Sequence, residues 1–219
     1  MKILIKTSLN ILVLFFILSV TYAQSNFEGK VVYTMTYEDM PAEMKGMESM
    51  LPKEMKMYIK ENKSRIEQDN MMGKTIIVSD MDAKTGFMEM NMAGQSLRMN
   101  ISAEDFEKEV NKMPDIAYFN ETKNIAGYDC KKAIMKDESG QLTLTVYYTE
   151  KISNKAHRQF GGLKGFPLEY SMPQQGMKVI MTASEVSEES ISESIFNKSE
   201  GYRDITQEEL QQMMMGGGR

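Results

Sequence analysis

The side chains best able to do chemistry in this chain are thioethers. Fourteen of its 23 methionines fall between Met35 and Met99, against one cysteine, one histidine and no tryptophan. A thioether is apolar, flexible and polarizable, so methionine builds surfaces that re-pack around varied ligands. It is also a soft donor that selects Cu(I). Met88-Glu89-Met90-Asn91-Met92 puts three sulfurs on one face of a strand, about 7 Å apart along the pleat. Met55 and Met57 do the same on an earlier strand, and Met40, Met44 and Met47 recur at helical spacing. With Met35 and Met99 these ten residues are the expected lining of a ligand site. Three uses of it stay open. One is a groove for a lipid, a lipoprotein acyl chain or another apolar molecule. The second is a Cu(I) or Ag(I) site on Met88, Met90 and Met92. The third is a plain core in which Met stands in for Leu at little cost, the chain then serving as an envelope protein-interaction module with no small ligand.

Other chemistry is sparse. His157, the sole imidazole, lies in the polar stretch 153–159 and reads as a solvated loop histidine rather than a base. Cys130 has no partner for an intramolecular disulfide and reads as buried and structural. No Gly-x-Ser-x-Gly, His-Glu-x-x-His, phosphate-cradling glycine loop or Cys-x-x-Cys occurs. Glu104 and Asp105 read as acidic residues of a first helical turn, not as an acid/base pair. The expectation is a non-enzymatic binding protein without a cofactor.

The ends and the charge narrow the setting. Lys2 and Lys6 flank the run 11–20, apolar but for Ser19, which has the length of a signal peptide and is too short to span a bilayer. Thr21-Tyr22-Ala23 places small residues at the peptidase positions, so 1–23 is expected to be cleaved and the protein exported, periplasmic or secreted, with no transmembrane anchor. No cysteine sits at that site to carry a diacylglyceryl group. The remaining 196 residues carry 24 basic and 31 acidic side chains, a net charge of −7 that argues against nucleic acid as a partner.

The elements that would position the methionines are mostly strands. β-branched and aromatic residues with period-2 alternation mark 29–38, 54–61, 63–69, 74–79, 85–92 and 96–101, punctuated by Asn, Gly and Asp in the rhythm of an antiparallel meander. An amphipathic helix is expected over 41–51, opened by Pro41 and stopped by Pro52. A second is expected over 102–111, capped by Ser102, with Phe106 and Val110 as its buried side. Strands follow at 116–120, 128–136, 142–149, 168–172 and 177–186, with a hairpin turn over 137–140. A short helix is expected over 204–212 and a flexible tail over 213–219, so that 24–212 forms one β-rich domain.

The second half carries a further pattern: KNIAGYDCKKAIMK (123–136), LTVYYTEKI (144–152), GGLKGFPLEYSM (161–172), MKVIMTASEV (177–186) and IFNKSEGYRDI (195–205). In this order the segments resemble an exported family of unknown function similar in architecture to the LolA/LolB lipoprotein carriers. The resemblance implies a strongly curved antiparallel sheet, an incomplete barrel with short helices in its mouth, whose hollow holds acyl chains in the carriers. It carries over no catalytic residue.

Overall fold

The computed structural model describes residues 27–70, 73–92, 94–110, 114–137, 143–174 and 176–216. The expected export signal and most of the 137–140 turn lie outside them. Strands β1 (Gly29–Glu38), β2 (Glu54–Lys60), β3 (Lys63–Asn70), β4 (Gly73–Asp80), β5 (Thr85–Met92) and β6 (Gln95–Ile101) form one meander. Strands β7 (Asp115–Ile125), β8 (Tyr128–Lys136), β9 (Thr143–Thr149), β10 (Phe166–Gln174) and β11 (Met177–Glu188) form a second. The ladder between β1 and β11 joins them into a single sheet of order β12-β6-β5-β4-β3-β2-β1-β11-β10-β9-β8-β7. It is antiparallel except at β12 (Arg203–Asp204), which runs parallel to β6. The turn Ala126-Gly127 between β7 and β8 has φ of 49° and 85°, the two left-handed positions that a tight hairpin matching strand twist requires.

The connection from β6 to β7 explains why the sheet is curved. Ten inter-strand spacings separate these strands, about 48 Å if the sheet lay flat. The chain between Ile101 and Asp115 includes helix α1 (Ala103–Val110) and can reach about 32 Å at most. The sheet must therefore curl, and α1 bridges its mouth. The result is the unclosed, curved, mainly antiparallel sheet with short helices that the resemblance to the carriers implied. Ser102 caps α1: its Oγ accepts from the Asp105 amide at 3.1 Å and donates to Asp105 Oδ2 at 2.7 Å. Ser102→Ala is expected to lower stability by about 1 kcal/mol, read from the urea midpoint.

Alternation gives the sheet two different faces. The inner face carries the main core: Val31, Tyr33, Met57, Ile59, Val146, Tyr148 and Tyr170 pack with Ile152, Ala156, Phe160 and Leu163 from the long β9–β10 connection. Tyr33 Oη donates to the Pro167 carbonyl at 2.7 Å, which ties β1 to the start of β10. The outer face of β2–β6 is covered by the chain after β11. There Ile191 and Phe196 bury themselves on Ile76, Val78 and Phe87, and Lys60 Nζ and Arg65 Nη1 donate to the carbonyls of Ile191 (2.7 Å) and Ile195 (2.6 Å). No described helix is long and apolar enough to cross a membrane.

Three elements differ from expectation. Ala42–Met50 is a 3-10 helix with no buried residue, not an amphipathic α-helix. With three residues per turn, Met44, Met47 and Met50 align on one edge, and the spacing of four that linked Met40 to Met44 is lost. Strand β7 runs five residues beyond 120, because the polar sequence after it lies on an exposed edge where no alternation is needed. Helix α2 (Gln207–Gly216) starts later and extends into the expected tail. Thr206 caps it: Thr206 Oγ1 accepts from the Glu209 amide at 3.1 Å and Glu209 Oε2 accepts from the Thr206 amide at 2.8 Å.

Candidate functional site

Strand register decides where the methionines stand. Directly opposed residues share a face, so Val31, Met57, Ile66, Ile77, Met88 and Met99 form one apolar row across β1 to β6. Tyr33, Met55, Gln68, Thr75, Met90 and Leu97 form the row beside it. Met35 and Met92 lie further along the same face. Seven of the ten predicted residues (Met35, Met55, Met57, Met88, Met90, Met92 and Met99) are thus brought to one side of the sheet. Met40, Met44 and Met47 are not: they belong to the connection between β1 and β2, and Met47 is 47% exposed.

Burial grades along the first row. Val31 and Met57 are fully buried, whereas Ile66, Ile77, Met88 and Met99 are half-buried. The core is sealed beneath β1 and β2 by the β9–β10 connection, and the apolar row runs on past that seal for about 14 Å, from β3 to β6. Helix α1 lies against β5 and against the Arg158–Phe160 turn. Its Phe106 is buried, with the Arg158 guanidinium 5.4 Å from the ring centre. The inner face of β3–β6 is therefore a half-covered apolar seam with a helix at one end. Three open clefts of about 380, 380 and 490 Å³ lie on the outer side, lined by polar residues such as Lys56, Glu67, Asp69, Asp80, Asn100 and Lys198 together with Leu51, Val78 and Phe196. None of the seven inner-face methionines lines them.

Two groups escaped the sequence. The first is Glu89, fully buried between two methionines that face the other way. Its Oε1 accepts from Arg98 Nε (2.9 Å), Arg98 Nη2 (2.8 Å) and the Ser199 amide (2.8 Å), and its Oε2 accepts from the Ser199 hydroxyl (2.7 Å). Burial alone would raise its pKa. The Ser199 and Arg98 donors outweigh that and hold the carboxyl below its ordinary value. Arg98 also donates to the Ser199 carbonyl and stacks on Tyr202 at 5.6 Å. One buried ion pair thus fastens the covering segment to the back of the methionine strands. The signal was available: a turn that pairs Met92 with Gln95 also pairs Glu89 with Arg98.

The second is His157, which corrects the solvated-loop reading. It is 4% exposed, edge-on to Phe160 (4.8 Å between ring centres) and close to Phe166 (5.5 Å) and Tyr170 (6.5 Å). Its Nε2 has no hydrogen-bond partner. Burial pushes its pKa down to about 3, so it is neutral at pH 7. The polar sequence around it folds back over the core and carries the ring inside. Cys130 is buried as expected, and burial pushes its thiol up to about 11, which leaves it unreactive.

No family model and no curated protein matches this chain. Among solved structures it is similar to PNGF-II. In two crystal forms of that protein the TM-scores are 0.54 and 0.51, the identities 15% and 14%, and the shares of this chain covered 88% and 85%. The likeness is one of fold, and the chain spans about a third (33%) of the PNGF-II chain. The lipoprotein LppX of Mycobacterium tuberculosis is matched over 75% of this chain and 89% of its own, at 10% identity and a TM-score of 0.39.

Proposed function

We propose that this protein is an exported, non-enzymatic binding protein that holds an apolar ligand, a lipid or the acyl chain of a lipoprotein, against the inner face of β3–β6. The observation that carries this reading is the half-buried row Ile66, Ile77, Met88 and Met99, an apolar surface continuous with the core yet left unsealed. A half-covered apolar surface bordered by a helix on a curled sheet suits a ligand that completes its cover. Burying ten methylenes there supplies about 8 kcal/mol before ordering costs. The methionines let the surface conform to chains of different length. The resemblance of the second half to the lipoprotein carriers points to the same ligand class.

Native mass spectrometry of the protein from its own host is expected to show an acyl-bearing adduct. A fluorescent fatty acid should bind the purified chain and lose at least about tenfold in affinity in Met88→Asp, because a charge would then be buried against the alkyl chain. Met88→Leu should bind as the parent does. A chain that carries no adduct and gains no fatty-acid signal overturns the proposal, as does a Met88→Asp protein that is folded and binds unchanged.

A further inference from the structure

We infer that the far end of the inner face holds a soft-metal site, for Cu(I) or Ag(I), formed by Met88, Met99 and Met90. Sequence spacing grouped Met88, Met90 and Met92 along a single strand, but register changes the set. Met99 stands directly opposite Met88, whereas Met92 stands opposite Gln95 and four residues from Met88. The Cβ atoms of an opposed pair lie about 5 Å apart, and a diagonal neighbour such as Met90 to Met99 lies about 7–8 Å away. Met88 and Met90 are separated by about 7 Å along the strand. A point about 4 Å from all three Cβ atoms therefore exists above the sheet. Each sulfur is two bonds beyond its Cβ on an unbranched side chain, so all three can turn toward that point.

The surroundings favour a soft, singly charged ion. Leu97 and Ile77, opposite Met90 and Met88, supply hydrocarbon. The one carboxylate on β5 and β6, Glu89, belongs to the outer face. Hard divalent ions need oxygen donors and find few here, whereas neutral thioethers select Cu(I). All three residues are half-buried, which suits a site both shielded and reachable. Met35 differs: its sulfur accepts from Gln68 Nε2 at 3.0 Å and from the Tyr37 hydroxyl at 4.0 Å, inside the core.

The test titrates the purified full chain with Ag(I), which needs no reductant, and with Cu(I) against a competing chelator. The parent is expected to bind one ion per chain with preference over Zn(II), seen by native mass spectrometry. The variant Met88→Leu/Met99→Leu should lose at least a hundredfold in affinity. Its apo thermal midpoint should match the parent's, because Leu fills the same space. Met40→Leu/Met44→Leu/Met47→Leu should bind as the parent does. Failure to bind Ag(I), undiminished binding by Met88→Leu/Met99→Leu, or loss confined to the 40–47 variant each overturns the site. Fatty-acid binding is read on the same leucine variants. It is expected to persist there, so this inference and the ligand proposal fail separately.

Discussion

Glu89→Ala is expected to destabilise the fold by about 3–5 kcal/mol, the usual consequence of removing one partner from a buried ion pair. The loss has three sources. Arg98, only 7% exposed, keeps its charge and loses its nearer, buried carboxylate, with Asp204 Oδ1 left at 3.6 Å on the exposed side. The Ser199 amide and hydroxyl lose the oxygens that they donate to. The segment over the outer face then loses one of the ties that hold it on Phe87 and Ile76, beside those from Lys60 and Arg65. Glu89→Gln should fall between parent and Ala, because the amide keeps the shape and one acceptor while the charge goes. Replacing both partners, Glu89→Leu with Arg98→Met, should recover much of the loss, since a matched apolar pair has no orphaned charge. Denaturant unfolding of the parent, Glu89→Leu, Arg98→Met and the double variant closes a cycle that isolates the pair, with Glu89→Ala and Glu89→Gln read beside it. A deficit in Glu89→Ala below about 1 kcal/mol would mean that Ser199 and Arg98 find solvent instead, and that the segment is not fastened here.

The second large effect is on pH. His157 titrates near 6.5 in an unfolded chain and near 3 in the fold. Between those values the unfolded state binds more protons, so stability is fully present above pH 6.5 and falls as the pH drops through the window. The slope is about 1.4 kcal/mol per pH unit, which makes the protein about 2 kcal/mol less stable at pH 5 than at pH 7. Carboxylates with lowered pKa, such as Glu67 and Glu89, act in the same direction, but their contribution starts near 4.5 and below. The range from 6.5 to 5 therefore isolates the histidine. His157→Phe should flatten that limb while the steeper loss below pH 4.5 remains. An unchanged limb in the variant would show that the imidazole reaches water in the native state.

What the sequence reveals is uneven, and the unevenness has physical causes. Strands β2, β4, β5 and β11 are legible because one of their faces is buried and the other is not, so the pattern alternates. The ends of β7 are not, because an edge strand exposes both faces. The seven inner-face methionines are legible as a group from period two alone, whereas their neighbours across the sheet (Met99 on one side of Met88, Ile77 on the other) need register. Met40, Met44 and Met47 read as a helical stripe because period 3.6 and period three are hard to separate over nine residues. His157 and Glu89 fail for a shared reason. Each is polar in a stretch that looks solvated, and each is covered by chain whose position only the tertiary fold decides.

The β1–β11 ladder has a consequence for how the molecule is made. The first strand sits mid-sheet and its second neighbour is supplied roughly 150 residues later, by Met177–Glu188. A polypeptide emerging amino end first can zip its opening meander early, yet one flank of Val31 and Tyr33 stays bare until nearly all of the chain has followed. Assembly should accordingly be slow, with a late step set by this long-range pairing, and the interval before it is when a chaperone would find the polypeptide still pliable.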